Sequence, residues 1–245
     1  MKASHRFQCR VLGLALLPLL ARGGAVEAVE MTLHNDSMTT PASVSPCECL
    51  IQGEIPASWF TAPLSGYIVG VQVFWESPLG AQPDTMETAI RLYAAGVFPN
   101  AGATLLNDTS DPAVVPDPVL MDGVLNEFRF VGAAQTIPMR VAVAQGESFV
   151  IGLEIFNDNS GSTTAPSLAY DNDGCQASTN TVFTAGSWSN ACTLGVPGDW
   201  VIRAILELDP PVPAVSQWGL VVLILLTVTA ATVVLTRPRR ASGTA

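Results

Sequence analysis

An uncharged apolar run near the C-terminus constrains this chain more than any other feature. Residues 219–236 are 18 consecutive residues without a charged side chain, and a helix of that length would be about 27 Å long. That is enough to cross the hydrocarbon core of a bilayer with little tilt. Arginines follow the run and acidic residues precede it. Because arginines favour the cytoplasmic side, the pattern predicts one transmembrane helix, a basic cytoplasmic tail at 237–245, and an ectodomain outside.

The residues that flank the run also form a recognisable order. A linker and lead at 210–218 come first, then the apolar run, then the arginine cluster; the matching positions are Val212, Pro213, Trp218, Gly219, Arg237, Arg239 and Arg240. This order resembles the IPTL-CTERM sorting signal of exported bacterial proteins, a relative of the PEP-CTERM tails, although Ala214 and Val215 replace the usual threonine and leucine. The resemblance implies a transient anchor recognised by an exosortase-type membrane protease. A permanent single-pass anchor is the alternative, because hydropathy does not separate the two.

The N-terminus has the pattern of a secretory signal peptide, assigned to residues 1–28. Lys2, Arg6 and Arg10 precede a ten-residue apolar core at 11–20, which is too short to span a membrane. The two targeting segments together predict an exported protein that is anchored in the inner membrane with its ectodomain outside. Tail processing would release it to the cell surface or the extracellular space.

The charge of the chain between these segments excludes one class of partner. Residues 29–236 contain four arginines, no lysine and 20 acidic residues, a net charge of −16. Such a surface repels phosphate backbones, so nucleic-acid binding is excluded.

Histidine is almost absent as well. His5 lies in the signal peptide, and His34 lies in a polar segment, residues 29–46, that is predicted to be flexible. With no histidine in the folded region, Ser-His-Asp and Cys-His nucleophiles and histidine-ligated zinc are not expected.

Residues 47–209 are predicted to form one all-β domain. Segments 67–75, 149–156 and 200–208 alternate apolar and polar residues, which is typical of half-buried antiparallel strands. In the first segment the alternation places Tyr67, Val69, Val71, Val73 and Trp75 on one face. Shorter candidate strands are 50–55, 88–93, 126–131, 139–144, 167–170 and 180–183. Loops rich in proline, glycine and asparagine separate the segments, so we expect an antiparallel β-sandwich of jelly-roll type.

Four cysteines are left in the mature chain, and an even number in an exported protein favours disulfides. Cys175 and Cys192 flank a predicted hairpin and are the first choice for a pair. Cys47 would then pair with Cys49, which requires a turn at Glu48. A crossed pattern between the two regions is the alternative.

Two kinds of binding residue stand out in the loops. Asp158, Asp171 and Asp173 lie in acidic, amide-rich loops that are candidates for Ca²⁺; ordinary turns are the alternative. No other cofactor is expected. Trp188 lies among small polar residues in a presumed loop, where it could stack on a sugar ring or simply cap the edge of the sandwich, and Trp59 poses the same question.

The sequence therefore favours a non-catalytic structural or adhesive module of the cell envelope, in a family that the ectodomain does not reveal. A module that binds surface polysaccharide is the alternative. A glycosidase would need two carboxylates that face each other across a cleft.

Overall fold

A computed structural model of the chain describes residues 29–80, 82–105, 114–208 and 217–236. Within these ranges the chain before residue 209 is almost entirely antiparallel β-sheet, which confirms the all-β prediction. The predicted signal peptide and basic tail lie outside the described residues, as do Val212 and Pro213 of the predicted sorting motif.

Two seven-stranded sheets make up the sandwich. The strands of the first sheet are β1 Val29–Leu33, β2 Val44–Pro46, β4 Gly66–Glu76, β10 Val124–Phe128, β13 Val141–Val143, β15 Ser167–Asp171 and β18 Ile202–Leu208. Those of the second sheet are β3 Ile55–Thr61, β6 Ala89–Ala95, β7 Ala101–Thr104, β8 Val115–Pro116, β14 Ser148–Glu154, β16 Asn180–Thr184 and β17 Ser187–Asn190. Two small pairs complete the β-structure: β5 Thr85–Met86 with β9 Val119–Leu120, and β11 Phe130–Val131 with β12 Ile137–Pro138.

Successive strands often cross from one sheet to the other, since β3 and β4, β14 and β15, and β15 and β16 each lie in different sheets. The core between the sheets holds side chains from both, including Trp75 of β4 and Phe149 of β14, each 0% exposed. The sandwich is therefore confirmed, while its jelly-roll type stays a prediction.

Alternation predicted the core face correctly in two of the three long segments. Phe149, Ile151, Leu153 and Ile155 lie in the core, and so do Trp200, Ile202, Ala204 and Leu206. In both segments every second side chain points between the sheets, as a pleated strand requires.

The first segment, β4, departs from its predicted face. Its core residues are Ile68, Val71, Val73 and Trp75, so Tyr67 and Val69 do not belong to that face. Gly70 pairs with Ile205 and Ile68 with Leu206, which leaves Val69 as an extra residue in the ladder. A β-bulge of this kind reverses the alternation on one side of it.

The sandwich begins earlier than the boundary at residue 47 predicted. In the segment predicted to be flexible, β1 pairs with β18 over five residues, and β2 pairs with β15. Conversely, residues 50–54 form a turn before β3 rather than a strand.

Both first-choice disulfides are formed. Cys175 and Cys192 bridge with their Cα atoms 5.5 Å apart, and Cys47 and Cys49 with theirs 5.1 Å apart. Glu48 and Cys49 lie in a turn, as the second bridge requires.

The α-helix α1, Gln217–Thr236, follows the sandwich in the chain, and its first turn includes Trp218 and Gly219 of the predicted sorting motif. Its exposed apolar side chains are Val222, Leu223, Ile224, Leu225, Leu226 and Val228. Among the residues that the structure describes, no helix is both long and apolar enough to cross a membrane. The transmembrane part of the prediction is thus unconfirmed.

Candidate functional site

A cavity of about 470 Å³ opens at one end of the sandwich, and we call it the end cavity. Its wall is formed by the loop 47–50, Glu54, Tyr170 of β15, the strand β16 at Val182 and Thr184, the loop 194–197, and Trp200. Residues from both sheets and three loops therefore meet there. Its volume lies within the range of about 300–1,000 Å³ that is typical of small-ligand sites.

The loop that carries Glu48 is held in place by covalent and hydrogen bonds. The Cys47–Cys49 bridge closes it. The backbone N–H of Leu50 donates to Oδ1 of Asn159 at 3.1 Å, and the N–H of Gly161 donates to the carbonyl oxygen of Glu48 at 3.0 Å. Asn159 is 2% exposed, so it is a buried anchor of this loop rather than a free ligand.

The opposite wall is braced in the same way. The short 3₁₀ helix Ala191–Leu194 is capped by Asn190, whose side chain accepts from the N–H of Cys192 at 3.0 Å. The Cys175–Cys192 bridge ties this helix to the loop after β15. Gly195 ends the helix with φ 92°, a left-handed conformation that suits glycine. Both disulfides of the domain thus hold walls of the end cavity.

Four polar side chains line the cavity, those of Glu48, Glu54, Tyr170 and Thr184. Glu54 is half-buried, and its two carboxylate oxygens accept from the Thr184 hydroxyl at 2.5 Å and from the N–H of Ile51 at 3.0 Å. Burial raises the pKa of Tyr170, and the charge of Glu48 raises it further. Within the described part of the chain, neither the Glu48 carboxylate nor the Tyr170 hydroxyl has a hydrogen-bond partner. Glu48 is also exposed.

None of the four arginines of the sandwich lies at this cavity. Each is paired with a carboxylate elsewhere: Arg91 with Glu154, Arg129 with Glu30 and Glu127, Arg140 with Glu207, and Arg203 with Asp36. The carboxylates of the end cavity therefore have no positive side chain beside them.

A second cluster of acids, Asp36, Asp171 and Asp199, is buried beside β18, each at most 2% exposed. Asp171 accepts from the N–H groups of Ser37 at 2.7 Å and Asp199 at 2.8 Å. Asp199 accepts from the N–H and the side-chain amide of Gln176 and from Asn180. Burial raises the pKa of both Asp171 and Asp199. These carboxylates tie the N-terminal segment and the loop after β15 to the sandwich.

The predicted calcium residues are not brought together around one point. Asp171 is buried with two backbone donors, Asp173 is exposed, and Asp158 accepts from the N–H of Ser160 in a local turn. In the described ranges, no group of three or more His, Cys, Asp or Glu side chains could hold a metal ion. Calcium binding stays a prediction.

Trp188 lies in a strand rather than in a loop. Ala185 and Gly186, with φ 49° and 82°, form a two-residue turn between β16 and β17. Trp188 then packs edge-to-face against Tyr93 and Phe183, with ring centroids 5.4 Å apart in each case. The hairpin predicted between Cys175 and Cys192 is therefore present, and Trp188 lies on its second strand rather than in its loop.

Trp59 packs against the same apolar cluster as Trp188, formed by Ala57, Tyr93 and Val150, but lies beside a groove that Trp188 does not line. It packs edge-to-face on Phe98 and lines a groove of about 460 Å³, the side groove, together with hydroxyl side chains of Thr61, Ser148, Ser178 and Thr179. The indole Nε1 of Trp59 is buried and has no hydrogen-bond partner.

His34 also lines the side groove, which corrects the sequence argument that no histidine belongs to the folded region. It follows β1 directly, and its Nδ1 lies 2.8 Å from the carbonyl oxygen of Asp36, to which it can donate. The error has a simple cause, since the segment's polar composition gave no sign that β1 would pair with β18.

Comparison with known protein families and with curated proteins finds no match. Among solved structures, the chain is similar to the crystal structure of the cysteine protease and lectin-like domains of a surface layer associated protein of Clostridium difficile. The sequence identity is 14%, the TM-score is 0.37, and the alignment covers 64% of this chain. It spans 33% of that chain, about a third of its length.

Proposed function

We propose that this protein is an exported, non-catalytic module of the cell envelope whose sandwich is held at the membrane by α1. The apolar helix that follows the last strand is the observation that carries the proposal. Its exposed side chains include Leu223, Leu225 and Leu226 at 60–62% exposure, a surface that favours lipid or another apolar environment over water. The sequence adds to this surface, because none of the 18 residues 219–236 is charged.

The tail would serve as a sorting signal as well as an anchor. The matching positions Pro213, Trp218 and Gly219 precede the apolar run, and the arginines follow it, in the order of an IPTL-CTERM tail. An exosortase-type protease would then be the partner that removes the tail. The protein would pass from the inner membrane to the cell surface or the extracellular space.

Mass spectrometry of the protein from its native cells tests this proposal. We expect the mature chain to end between residues 212 and 219, because cleavage would fall in the lead to the helix. A mature C-terminal peptide that reaches Ala245 would instead establish a permanent anchor. Replacing Arg237, Arg239 and Arg240 by neutral residues should release intact protein, because the charges resist translocation. Full membrane retention of that variant would contradict the role given to the arginines.

Binding to surface polysaccharide is a second candidate function, which the side groove favours. An aromatic ring beside several hydroxyl groups and the amide of Asn35 is a combination that suits a sugar, since the ring face stacks and the polar groups bond to its hydroxyls. Trp188, the residue singled out in the sequence, packs on Tyr93 and Phe183 and lies outside the lining of this groove.

Substitution of the two tryptophans separates these sites. If the side groove binds polysaccharide, Trp59→Ala should weaken retention on the immobilised polysaccharide about tenfold or more, because a central aromatic anchor is lost. Trp188→Ala is the matched control and should bind as the unchanged protein does. Loss of binding in Trp188→Ala alone would move the site to Trp188. If neither change matters, the retention does not come from these rings.

A further inference from the structure

We propose that the end cavity binds an organic cation, an ammonium or guanidinium group carried on an apolar stem. The structure offers the two parts of such a site side by side: carboxylates without a positive partner, and an apolar wall. The inference concerns a site distinct from the anchor helix and from the side groove.

The charge of the cavity favours a positively charged ligand group. The carboxylate of Glu54 is held in position by two neutral donors, the Thr184 hydroxyl and the N–H of Ile51. Glu48 stands on the same wall with its carboxylate unpartnered among the described residues. With all four arginines paired elsewhere, the domain supplies no cation to these groups. An anionic ligand would be repelled, and a cationic one would gain a charge-assisted hydrogen bond.

The remaining wall selects an apolar stem. Leu50, Val182, Leu194 and Val196 line the cavity beside Trp200. Leu194 is 55% exposed, so a ligand that covers it would remove apolar surface from water. The Tyr170 hydroxyl, which has no hydrogen-bond partner among the described residues, adds an oxygen that can accept from an ammonium.

The cavity is also preformed in the unbound protein. The Cys47–Cys49 and Cys175–Cys192 bridges hold two of its loops, so little ordering of the backbone would accompany binding. This distinguishes the end cavity from an incidental gap between mobile loops.

The position of the cavity suits an external ligand. Trp200 lines it just before β18 begins at Ile202. Leu208 ends β18 six residues after Ile202, roughly 20 Å along the strand. The helix follows Leu208 after residues 209–216. The cavity therefore lies at the end of β18 opposite Leu208, the residue from which the chain continues toward the helix. That this end faces away from the membrane rests on the proposed function, whereas binding itself does not.

The test titrates the full chain in detergent micelles with 2-phenylethylammonium, followed by ligand-observed NMR or calorimetry. The isosteric 2-phenylethanol and the anion 3-phenylpropionate are the ligand controls. We expect the cation to bind at least about tenfold more tightly than the alcohol, since a charge-assisted hydrogen bond is stronger than a neutral one. A blocked tripeptide with a central lysine, compared with its norleucine analogue, distinguishes a side chain of a partner protein from a free amine.

Matched variants locate the site. Glu48→Gln should raise the dissociation constant about fivefold and Glu54→Gln about tenfold, because Glu54 is less exposed to screening by water. Asp84→Asn removes an exposed charge that does not line the cavity and should change the constant less than about twofold. Leu194→Ala should weaken the aromatic amine more than a lysine peptide.

Three outcomes overturn the inference. The first is equal affinity for the cation and the alcohol. The second is an equal effect of Asp84→Asn and Glu48→Gln, which would show a diffuse surface charge. The third is the absence of binding by any of these cations. Thermal melting of the Glu48→Gln variant is the control for folding. Because Glu48 is exposed, we expect the variant to melt at the same temperature as the unchanged protein, so that weaker binding would not reflect unfolding.

Discussion

Replacing Asp36 with alanine is expected to lower the free energy of unfolding of the sandwich by about 3–5 kcal/mol. The side chain of Asp36 is 0% exposed and that of Arg203 is 15% exposed. Arg203 donates from Nε to Oδ2 at 3.0 Å and from a terminal nitrogen to Oδ1 at 2.5 Å. Without the carboxylate, the guanidinium keeps only its bond to the carbonyl oxygen of Met38, and a mostly buried charge is left uncompensated.

An exposed ion pair is the control for this change. The side chains of Arg140 and Glu207 are 46% and 28% exposed, so Glu207→Ala should cost no more than about 1 kcal/mol. The double change Asp36→Leu with Arg203→Met should recover part of the lost stability, because it removes both buried charges. Urea denaturation of the full chain in micelles measures all three. A cost for Asp36→Ala no greater than that for Glu207→Ala would show that the pair contributes little.

The Asp36–Arg203 pair also shows why part of this fold could not be predicted. The two residues are 167 positions apart, and nothing local to either one indicates the other. Asp36 lies in the polar segment after β1, whose role depends on pairing with β18 at the far end of the domain. Composition predicts flexibility there, whereas the sheet edge of β18 supplies the hydrogen bonds that order it.

Local patterns succeeded where a strand is regular and buried on one side. Alternation placed Phe149, Ile151, Trp200 and Ile202 in the core, because each of these strands has a side that faces the other sheet. It failed at Val69, since a bulge depends on the neighbouring strand and leaves no mark in the alternation itself. The cysteines were paired correctly because short separations leave few geometric choices.

The end cavity could not be predicted from the sequence for the same reason, because it depends on contacts between distant parts of the chain. The cavity residues come from three separate parts of the chain and meet only when both sheets have formed: Glu48 and Glu54 precede β3, Tyr170 lies in β15, and Trp200 precedes β18. The sequence singled out Trp188 and the aspartates of two loops, because polar, turn-rich segments resemble binding loops. The structure instead places Trp188 in an aromatic cluster and Asp171 among backbone donors.

The second large effect is expected at Trp200, which closes the floor of the end cavity. The side chain is 0% exposed, its Nε1 donates to the carbonyl oxygen of Thr181 at 3.3 Å, and its backbone N–H donates to Oδ1 of Asn180 at 3.1 Å. Trp200→Ala should destabilise the sandwich by about 3–5 kcal/mol, because the space left in the core cannot be refilled by its rigid neighbours. Circular dichroism during denaturation is the suitable signal, since tryptophan fluorescence itself changes.

Trp75 supplies the contrast that separates lost packing from a lost hydrogen bond. It is equally buried, but its Nε1 has no partner. Trp200→Phe loses a bond worth about 1 kcal/mol in addition to volume, whereas Trp75→Phe removes a buried donor whose desolvation is uncompensated and costs about 1–3 kcal/mol. Trp75→Phe should therefore be the milder of the two changes. Its effect on the free energy of unfolding should be near zero, because removing the unpaired donor offsets the loss of volume. If Trp200→Phe proves the milder, the bond to Thr181 does not stabilise the fold, and the position of Trp200 at the cavity floor is held by packing alone.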